Sequence, residues 1–503
     1  MSKKTMSGPA GLSATGIGGL DTILGGGFPS DRLYLVQGEP GTGKTTLALQ
    51  FLLEGARSGE KCLYITFSET QTELRSVSDS HGWDISSLEF FDLSTIEHQL
   101  QPESQNTVFH SSEVEMNQTV RLVLDEIDRV QPRRVVFDSV TELRMLAETA
   151  FNYRRQILAL KQIFSKRACT VLFLDDLTAA PRDLQVQSIV HGVIQLQKLH
   201  PEFGDERRRI SIVKLRGVQF TGGNHDYVIR KGGLKVFPRM IASDHMGDYT
   251  RETPASSGIP HLDALLGGGL DPGTSSLFMG PAGTGKSTLA IQFAYAAAER
   301  GEKAAIYAFE ESLQTMLART EALGMDLQKH IKSGMLHIQK IDPAELSPGE
   351  FADLIRTRVL QENLKVVSID SLNGYLHAMP QEEFLTLQLH ELLAFLGNQG
   401  VVTLLVLAQQ GMMGLMQTPV DLTYLADTVI VTRFFEAVGS VRKAVSVIKK
   451  RGGMHETTIR ELKIQKGGIT VGEPLTNFQG VLTGVPALVG QDLKGSPVNA
   501  ELD

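Results

Sequence analysis

Short apolar runs and longer stretches of helical periodicity alternate along nearly the whole chain, and the series occurs twice. Arg32 to Val36 and Ser276 to Met279 each read as a buried strand, and each passes through a glycine-rich loop into an amphipathic helix, Thr46 to Ala56 and Thr288 to Ala298. Further apolar runs follow in matching order. Leu63 to Phe67 answers to Ala305 to Phe309, Arg133 to Asp138 to Lys365 to Asp370, and Thr170 to Leu174 to Val401 to Leu407. Val193 to Leu196 answers to Thr428 to Val431, and Ile212 to Leu215 to Val447 to Lys450. Continuous apolar strands separated by helices predict an α/β fold, a mostly parallel sheet covered on both faces. The turns Lys231-Gly232-Gly233-Leu234 and Lys466-Gly467-Gly468-Ile469 predict an antiparallel hairpin added at the edge of each sheet.

The two halves are copies. Leu20-Asp21 with Leu24-Gly25-Gly26-Gly27 leads into the first loop, and Leu262-Asp263 with Leu266-Gly267-Gly268-Gly269 into the second. The spacing from Leu20 to Leu262 equals that from Lys44 to Lys286. Asp138 and Asp370 are closer together by about ten residues, which places an insertion in the polar stretch around Gln101 to Asn117, and loops are where a duplication tolerates such change. The pattern predicts a flexible lead over 1–12, a first domain over 13–241, a polar linker over 242–257, a second domain over 258–483 and a mobile tail over 484–503.

Composition narrows the classes. An apolar share of 42% and a charged share of 21% are those of a globular protein with ample core. A net charge of −8 speaks against a constitutive non-specific nucleic-acid binder, which needs clustered Lys and Arg. No signal peptide or spanning segment is evident, so a cytoplasmic location without a membrane partner is expected. Cys62 and Cys169 fall in apolar strand-like runs and read as buried free thiols.

The two loops carry the chemistry. Gly38-Glu39-Pro40-Gly41-Thr42-Gly43-Lys44-Thr45, followed by Thr46, and Gly280-Pro281-Ala282-Gly283-Thr284-Gly285-Lys286-Ser287, followed by Thr288, are complete phosphate-binding loops between a strand and a helix. The glycines let successive N–H groups and the helix N-terminus face anionic phosphates. Lys44 and Lys286 would reach the β- and γ-phosphates of ATP, and Thr45 and Ser287 would ligate Mg²⁺. Ligands of open α/β sheets lie beyond the carboxyl ends of the strands, so Asp138 and Asp370 are expected to hold that Mg²⁺ as well. Glu310 and Glu311 would orient or deprotonate the nucleophile; the first half has Glu69 there, preceded by Ser68. Lys214 with Arg216, and Lys449 with Arg451, sit at alternate positions of predicted strands, so both charges of each pair project from one face. Such a pair suits a γ-phosphate, and an adjacent subunit can supply it in trans.

Taken together, the Leu-Asp and triple-glycine lead-in, the phosphate loop and the Lys214-Leu215-Arg216-Gly217 element resemble the KaiC family, double-domain RecA-like ATPases and autokinases of the circadian oscillator and their relatives. The resemblance spans about Ser13 to Leu482. It implies tandem RecA-like domains in a double-ring homohexamer with ATP between subunits, slow hydrolysis in the first ring, and kinase and phosphatase activity in the second. It also implies that Lys214, Arg216, Lys449 and Arg451 contact ATP bound to the next subunit, that Glu310 and Glu311 form the catalytic pair, and that signalling proteins are partners. Three features depart from the pattern. The first-half glutamate pair is reduced to Glu69; the adjacent phosphoacceptors fall on Thr423 and Tyr424, of which Thr423 keeps a compact hydroxyl; and the tail after Phe478 differs. These departures favour an ATPase switch standing alone over a complete clock. Two alternatives are a RecA-type recombinase or helicase, for which no basic, aromatic-interleaved strip is found, and a non-catalytic scaffold gated by nucleotide.

Overall fold

The computed structural model describes residues 11–67, 69–93, 111–147, 149–177, 184–200, 204–245, 247, 253–377, 385–409, 411, 422–482 and 487–488. Most of the expected N-terminal lead, Ser68, much of the expected insertion and nearly all of the tail lie outside those residues. The chain divides into two compact units, one of residues 1–239 with 347–353 and the other of 240–346 with 354–503.

In the first unit β1 (Leu33–Gly38) leads into α1 (Lys44–Arg57), followed by β2 (Cys62–Thr66), α2 (Gln71–His81), β3 (Glu89–Asp92) and α3 (Ser111–Val130). Then come β4 (Arg134–Asp138), α4 (Ala150–Lys166), β5 (Thr170–Asp176), β6 (Gly192–Leu199), β7 (Arg207–Leu215), β8 (Asn224–Arg230) and β9 (Gly233–Phe237). These strands form one sheet in the order β3-β2-β4-β5-β1-β6-β7-β8-β9. From β3 to β6 the pairing is parallel, and β6 to β9 run antiparallel. The expected hairpin is thus the outer part of a larger antiparallel extension.

The second unit repeats the plan with β10 (Ser275–Gly280), α5 (Lys286–Glu299), β11 (Ala304–Ala308), α6 (Leu313–Ala322), β12 (Leu336–Lys340) and β13 (Val366–Asp370). It continues with α7 (Leu385–Asn398), β14 (Val402–Ala408), β15 (Thr428–Ala437), β16 (Ser440–Lys450), β17 (Arg460–Gln465) and β18 (Gly468–Pro474). Its sheet order is β12-β11-β13-β14-β10-β15-β16-β17-β18, strand for strand that of the first. Each unit is a RecA-like α/β domain, as the strand pattern predicts.

Burial explains why the central strands read as uninterrupted apolar runs. All six residues of β1 are buried; Tyr34 and Val36 pack in the core with Leu47 and Phe51 of α1, whereas Leu33 and Leu35 pack in the opposite core with Ile157 and Phe164 of α4. Alternate side chains of a strand face opposite sides of its sheet, so covering both faces demands apolar residues at every position. Cys62 and Cys169 are buried free thiols, and burial pushes them up to about 12 and about 11, which keeps both protonated at neutral pH. At the polar stretch between the halves, Ala255 already bridges to Leu270, and the Ser256 and Ser257 hydroxyls donate to Asp263.

Candidate nucleotide sites

Each phosphate loop turns on glycines that hold conformations closed to other residues. Gly43 and Gly285, with φ of 90° and 103°, stand directly before α1 and α5 and let the chain enter the helix from a tight loop. The loops are braced from within: the Thr42 hydroxyl donates to the Glu39 carbonyl at 2.7 Å and that of Thr284 to the Pro281 carbonyl at 2.8 Å. The first is also held from β8, where the Tyr227 hydroxyl donates to the Thr42 carbonyl at 2.6 Å. Lys44 and Lys286 are buried, and their ammonium groups lie within the loops, donating to the Gly38 and Pro281 carbonyls at 2.9 and 2.7 Å.

Strand register gathers the acids of the first site. Thr66 at the end of β2 is level with Asp138 at the end of β4, and Gly38 is level with Asp176 at the end of β5. Asp138 is buried and accepts from the Tyr64 hydroxyl at 2.5 Å; Tyr64 also hydrogen-bonds the Thr45 side chain. Burial raises the Asp138 carboxyl, against the Tyr64 hydrogen bond that lowers it. Asp176, which the sequence reading passed over, pairs with Lys44 at 2.6 Å. Its signal lies in the apolar run Thr170 to Leu174, since the same strand-end rule that selects Asp138 selects the carboxylates following that run. Glu69 stands behind β2, just before α2, whose start is fixed by a reciprocal cap between Thr70 and Glu73. Its carboxyl is pushed up to about 7, chiefly by burial and then by Asp138, Glu73 and Asp176, with Lys44 opposing; Oε2 is buried without a protein partner.

The second site has the same frame and a different charge arrangement. At the position of Asp176 stands Ala408, level with Gly280, so Lys286 has no carboxylate there. Burial lowers the Lys286 ammonium to about 8, opposed by Asp370 and Glu310. Asp370 ends β13 and hydrogen-bonds Ser287; burial pushes it up to about 6, with Glu311 and Glu310 adding to the rise. Glu310 accepts from the Ser371 hydroxyl at 2.8 Å. Glu311 is bound instead by Arg319 of α6 through two bonds of 3.0 and 2.7 Å. Arg319 was not anticipated; its trace in the sequence is a basic residue two helical turns after the glutamate pair.

The oxygen donors at each loop fit a nucleotide-borne Mg²⁺. Ser287 hydrogen-bonds the strand-end carboxylate Asp370, Thr45 and Asp138 share the Tyr64 hydroxyl, and Mg²⁺ needs one or two carboxylates when phosphates and water complete its shell. Among the described residues no group of three or more His, Cys, Asp and Glu could hold a metal ion.

The Lys-x-Arg pairs lie elsewhere. Lys214 and Lys449 are on β7 and β16, but those strands end at Leu215 and Lys450, so Arg216 and Arg451 lie just beyond them rather than at alternate strand positions. Both members of each pair still converge on one segment. Lys214 donates to the Gln187 carbonyl and Arg216 to that of Ser188, while Lys449 donates to the carbonyls of Thr423 and Ala426, and Arg451 to that of Tyr424 at 2.9 Å. Thr423 is half-buried and Tyr424 exposed. Through the register, Lys214 is level with Leu35 by way of Val193, and Lys449 with Leu277 by way of Val429. Both lie about 10 Å before Gly38 and Gly280 along the sheet, toward the start of the parallel strands. The site residues therefore fall into two groups at opposite ends of each sheet: loop and acids at one, Lys-x-Arg and Thr423 at the other.

A phosphate loop at the carboxyl end of a parallel sheet, with an acid closing the strand next but one to it, defines the class as a tandem-domain P-loop ATPase. A family model described as the KaiC ATPase matches residues 13–241 and 255–476, and the chain belongs to that family. It is similar to the circadian clock oscillator protein KaiC of Acaryochloris marina, 27% identical over 487 residues that cover 95% of this chain and 92% of the relative. Against KaiC of Synechococcus elongatus it is 27% identical over 488 residues, covering 95% and 92%. With that of Prochlorococcus marinus the identity is 26% over 492 residues, covering 95% and 96%. No helix among the described residues is long and apolar enough to cross a membrane.

Proposed function

We propose that the chain is a homohexameric, Mg²⁺-dependent ATPase that binds ATP between subunits in two rings, autophosphorylates on Thr423 in the second domain, and acts as a signalling or timing switch read by partner proteins. Its domains are taken as 13–241 and 258–483. The observation that carries the reading is the separation of the Lys-x-Arg pairs from the phosphate loops of their own sheets. Cations that cannot reach their own nucleotide suit the neighbour's, and the segment holding Thr423 is bound to Lys449 and Arg451, so it would travel with them to that nucleotide.

In this reading Lys44 and Lys286 bind the β- and γ-phosphates, and Thr45 with Asp138, and Ser287 with Asp370, hold Mg²⁺, which would draw charge from the phosphate oxygens. Glu310, anchored by Ser371, orients a water molecule or the Thr423 hydroxyl of the adjacent subunit and takes its proton. Glu69 does so alone in the first domain. Lys214, Arg216, Lys449 and Arg451 neutralise charge on the γ-phosphate in trans.

Incubation with γ-labelled ATP tests this. Label is expected on the wild type, strongly reduced in Thr423→Ala, absent from Arg451→Ala and Glu310→Gln separately, and partly restored when those two are assembled together. Label unchanged by Thr423→Ala refutes the acceptor, and failure of mixed assemblies to recover refutes action in trans. Particle mass with ATP and with ADP tests the hexamer.

A further inference from the structure

The second-domain site contains two adjacent carboxylates, Glu310 and Glu311, near the buried Asp370, whose carboxyl both of them raise. Their surroundings differ. Both oxygens of Glu311 accept from one guanidinium, Arg319 Nε at 3.0 Å and Nη2 at 2.7 Å, and the remaining nitrogen, Nη1, donates to the Thr288 hydroxyl at 2.7 Å. All three nitrogens of Arg319 are thus engaged, and the side chain joins α6 to the first turn of α5 directly after Ser287. The fork geometry is the strong, directional form of an ion pair, and neither side chain is fully solvated, with 29% and 24% of their surfaces exposed. Glu310 carries no such clamp; one of its oxygens accepts from Ser371 at 2.8 Å.

The first domain supplies a control within the same chain. Val77 stands as far after Glu69 as Arg319 after Glu311, and it packs against the hydrophobic core of that domain. Glu69, without a guanidinium, has one buried oxygen with no protein partner. The same backbone frame therefore holds a clamped glutamate in one domain and an unclamped one in the other.

We infer that Arg319 is a positioning residue of the second-domain site, fixing Glu311 as a structural anion against α5 and leaving Glu310 to face the reacting water or hydroxyl. The inference rests on the ATPase reading of that site and divides the work of its two glutamates. Arg319 is not an arginine finger in this scheme, because each of its nitrogens already donates to Glu311 or Thr288. Its effect reaches the reaction through the position of Glu310 and of the helix that begins at Lys286, so it acts on turnover more than on nucleotide affinity.

Steady-state ATP turnover of the full chain, in a Glu69→Gln background that silences the first domain, tests the inference. Glu310→Gln is expected to lower kcat by about 100-fold or more, as loss of a general base does. Arg319→Ala and Glu311→Gln are each expected to lower it roughly 10-fold with KM within about twofold, and the double variant to match either single one, because the two residues act as one unit. Arg319→Lys, which keeps charge but not the fork, should recover only part of the loss. Unchanged affinity for a fluorescent ADP analogue, measured with the first loop disabled by Lys44→Ala, excludes misfolding of the second domain as the cause. Losses that multiply in the double variant, a kcat indifferent to Arg319→Ala, a loss confined to KM, or Glu311→Gln as damaging as Glu310→Gln would each overturn the inference while leaving the ATPase reading intact. Absence of any turnover in the Glu69→Gln background would overturn both.

Discussion

Glu69 offers a quantitative test of how the first site is built. Its carboxyl is raised from the usual 4.5 to about 7 by burial and by Asp138, Glu73 and Asp176, with Lys44 opposing. A carboxyl that ionises less readily folded than unfolded leaves stability intact below pH 4.5 and removes it as the pH rises to about 7. Each tenfold change in an ionisation constant is worth about 1.4 kcal/mol, which gives about 3 kcal/mol for the whole shift. Because the group is only partly buried, solvent screening reduces this to about 1.5 kcal/mol. Glu69→Gln should therefore be more stable than wild type by about that amount at pH 8 and nearly equal to it at pH 4.5. The chain has a single tryptophan, Trp83, packed against the core of the first domain, so the urea midpoint followed by its fluorescence reports that domain. His81, with its ring 4.7 Å from that of Trp83, can quench its emission, so midpoints rather than amplitudes are compared. Saturating Mg²⁺ and ATP should abolish the difference by drawing the carboxyl back to its ordinary range. Parallel stability curves for the two proteins from pH 5 to pH 8 without nucleotide would refute the reasoning, because they would mean that Glu69 does not titrate there.

Two further substitutions probe the loops. Asp176 holds Lys44 at 2.6 Å and so competes with phosphate for it; Asp176→Asn should tighten ADP binding to the first domain by about threefold to tenfold, roughly 1 kcal/mol, measured with the second site disabled by Lys286→Ala. Weaker binding would show instead that Asp176 serves the nucleotide directly. Gly285 has φ of 103°, where an L side chain is strained, and a Cβ there would displace Ile464 Cδ1, so Gly285→Ala should destabilise the second domain by about 2 kcal/mol and weaken its nucleotide binding at least tenfold. Retention of wild-type affinity and thermal midpoint would contradict that geometry.

The sequence by itself determined the α/β class, the duplication, both phosphate loops and the strand-end acids Asp138 and Asp370. These are short-range signals: a strand buried on both faces must be apolar throughout, a helix must repeat its apolar positions, and a loop that wraps phosphate must contain glycine where the backbone turns left-handed. The same signals cannot report which side chains meet. Asp176 reaches Lys44 only because β5 lies beside β1 in a register that puts Asp176 level with Gly38, and Arg319 holds Glu311 and Thr288 together only in the folded chain, where α6 and the start of α5 come within reach of one side chain. The Lys-x-Arg pairs show the difference most clearly. Their spacing marked them as partners of a γ-phosphate, but an antiparallel turn of the sheet sets them at the end opposite their own loops, beside Thr423 in the second domain. The charge environment of the two sites also follows from packing. Glu69 and Glu311 occupy equivalent positions after equivalent strands, and the side chain two turns further along the following helix, Val77 or Arg319, decides whether the carboxylate is left unclamped or clamped. Local patterning fixes the elements, and long-range register and helix packing decide which charges share a site, because electrostatic interaction depends on distances that only the folded chain defines.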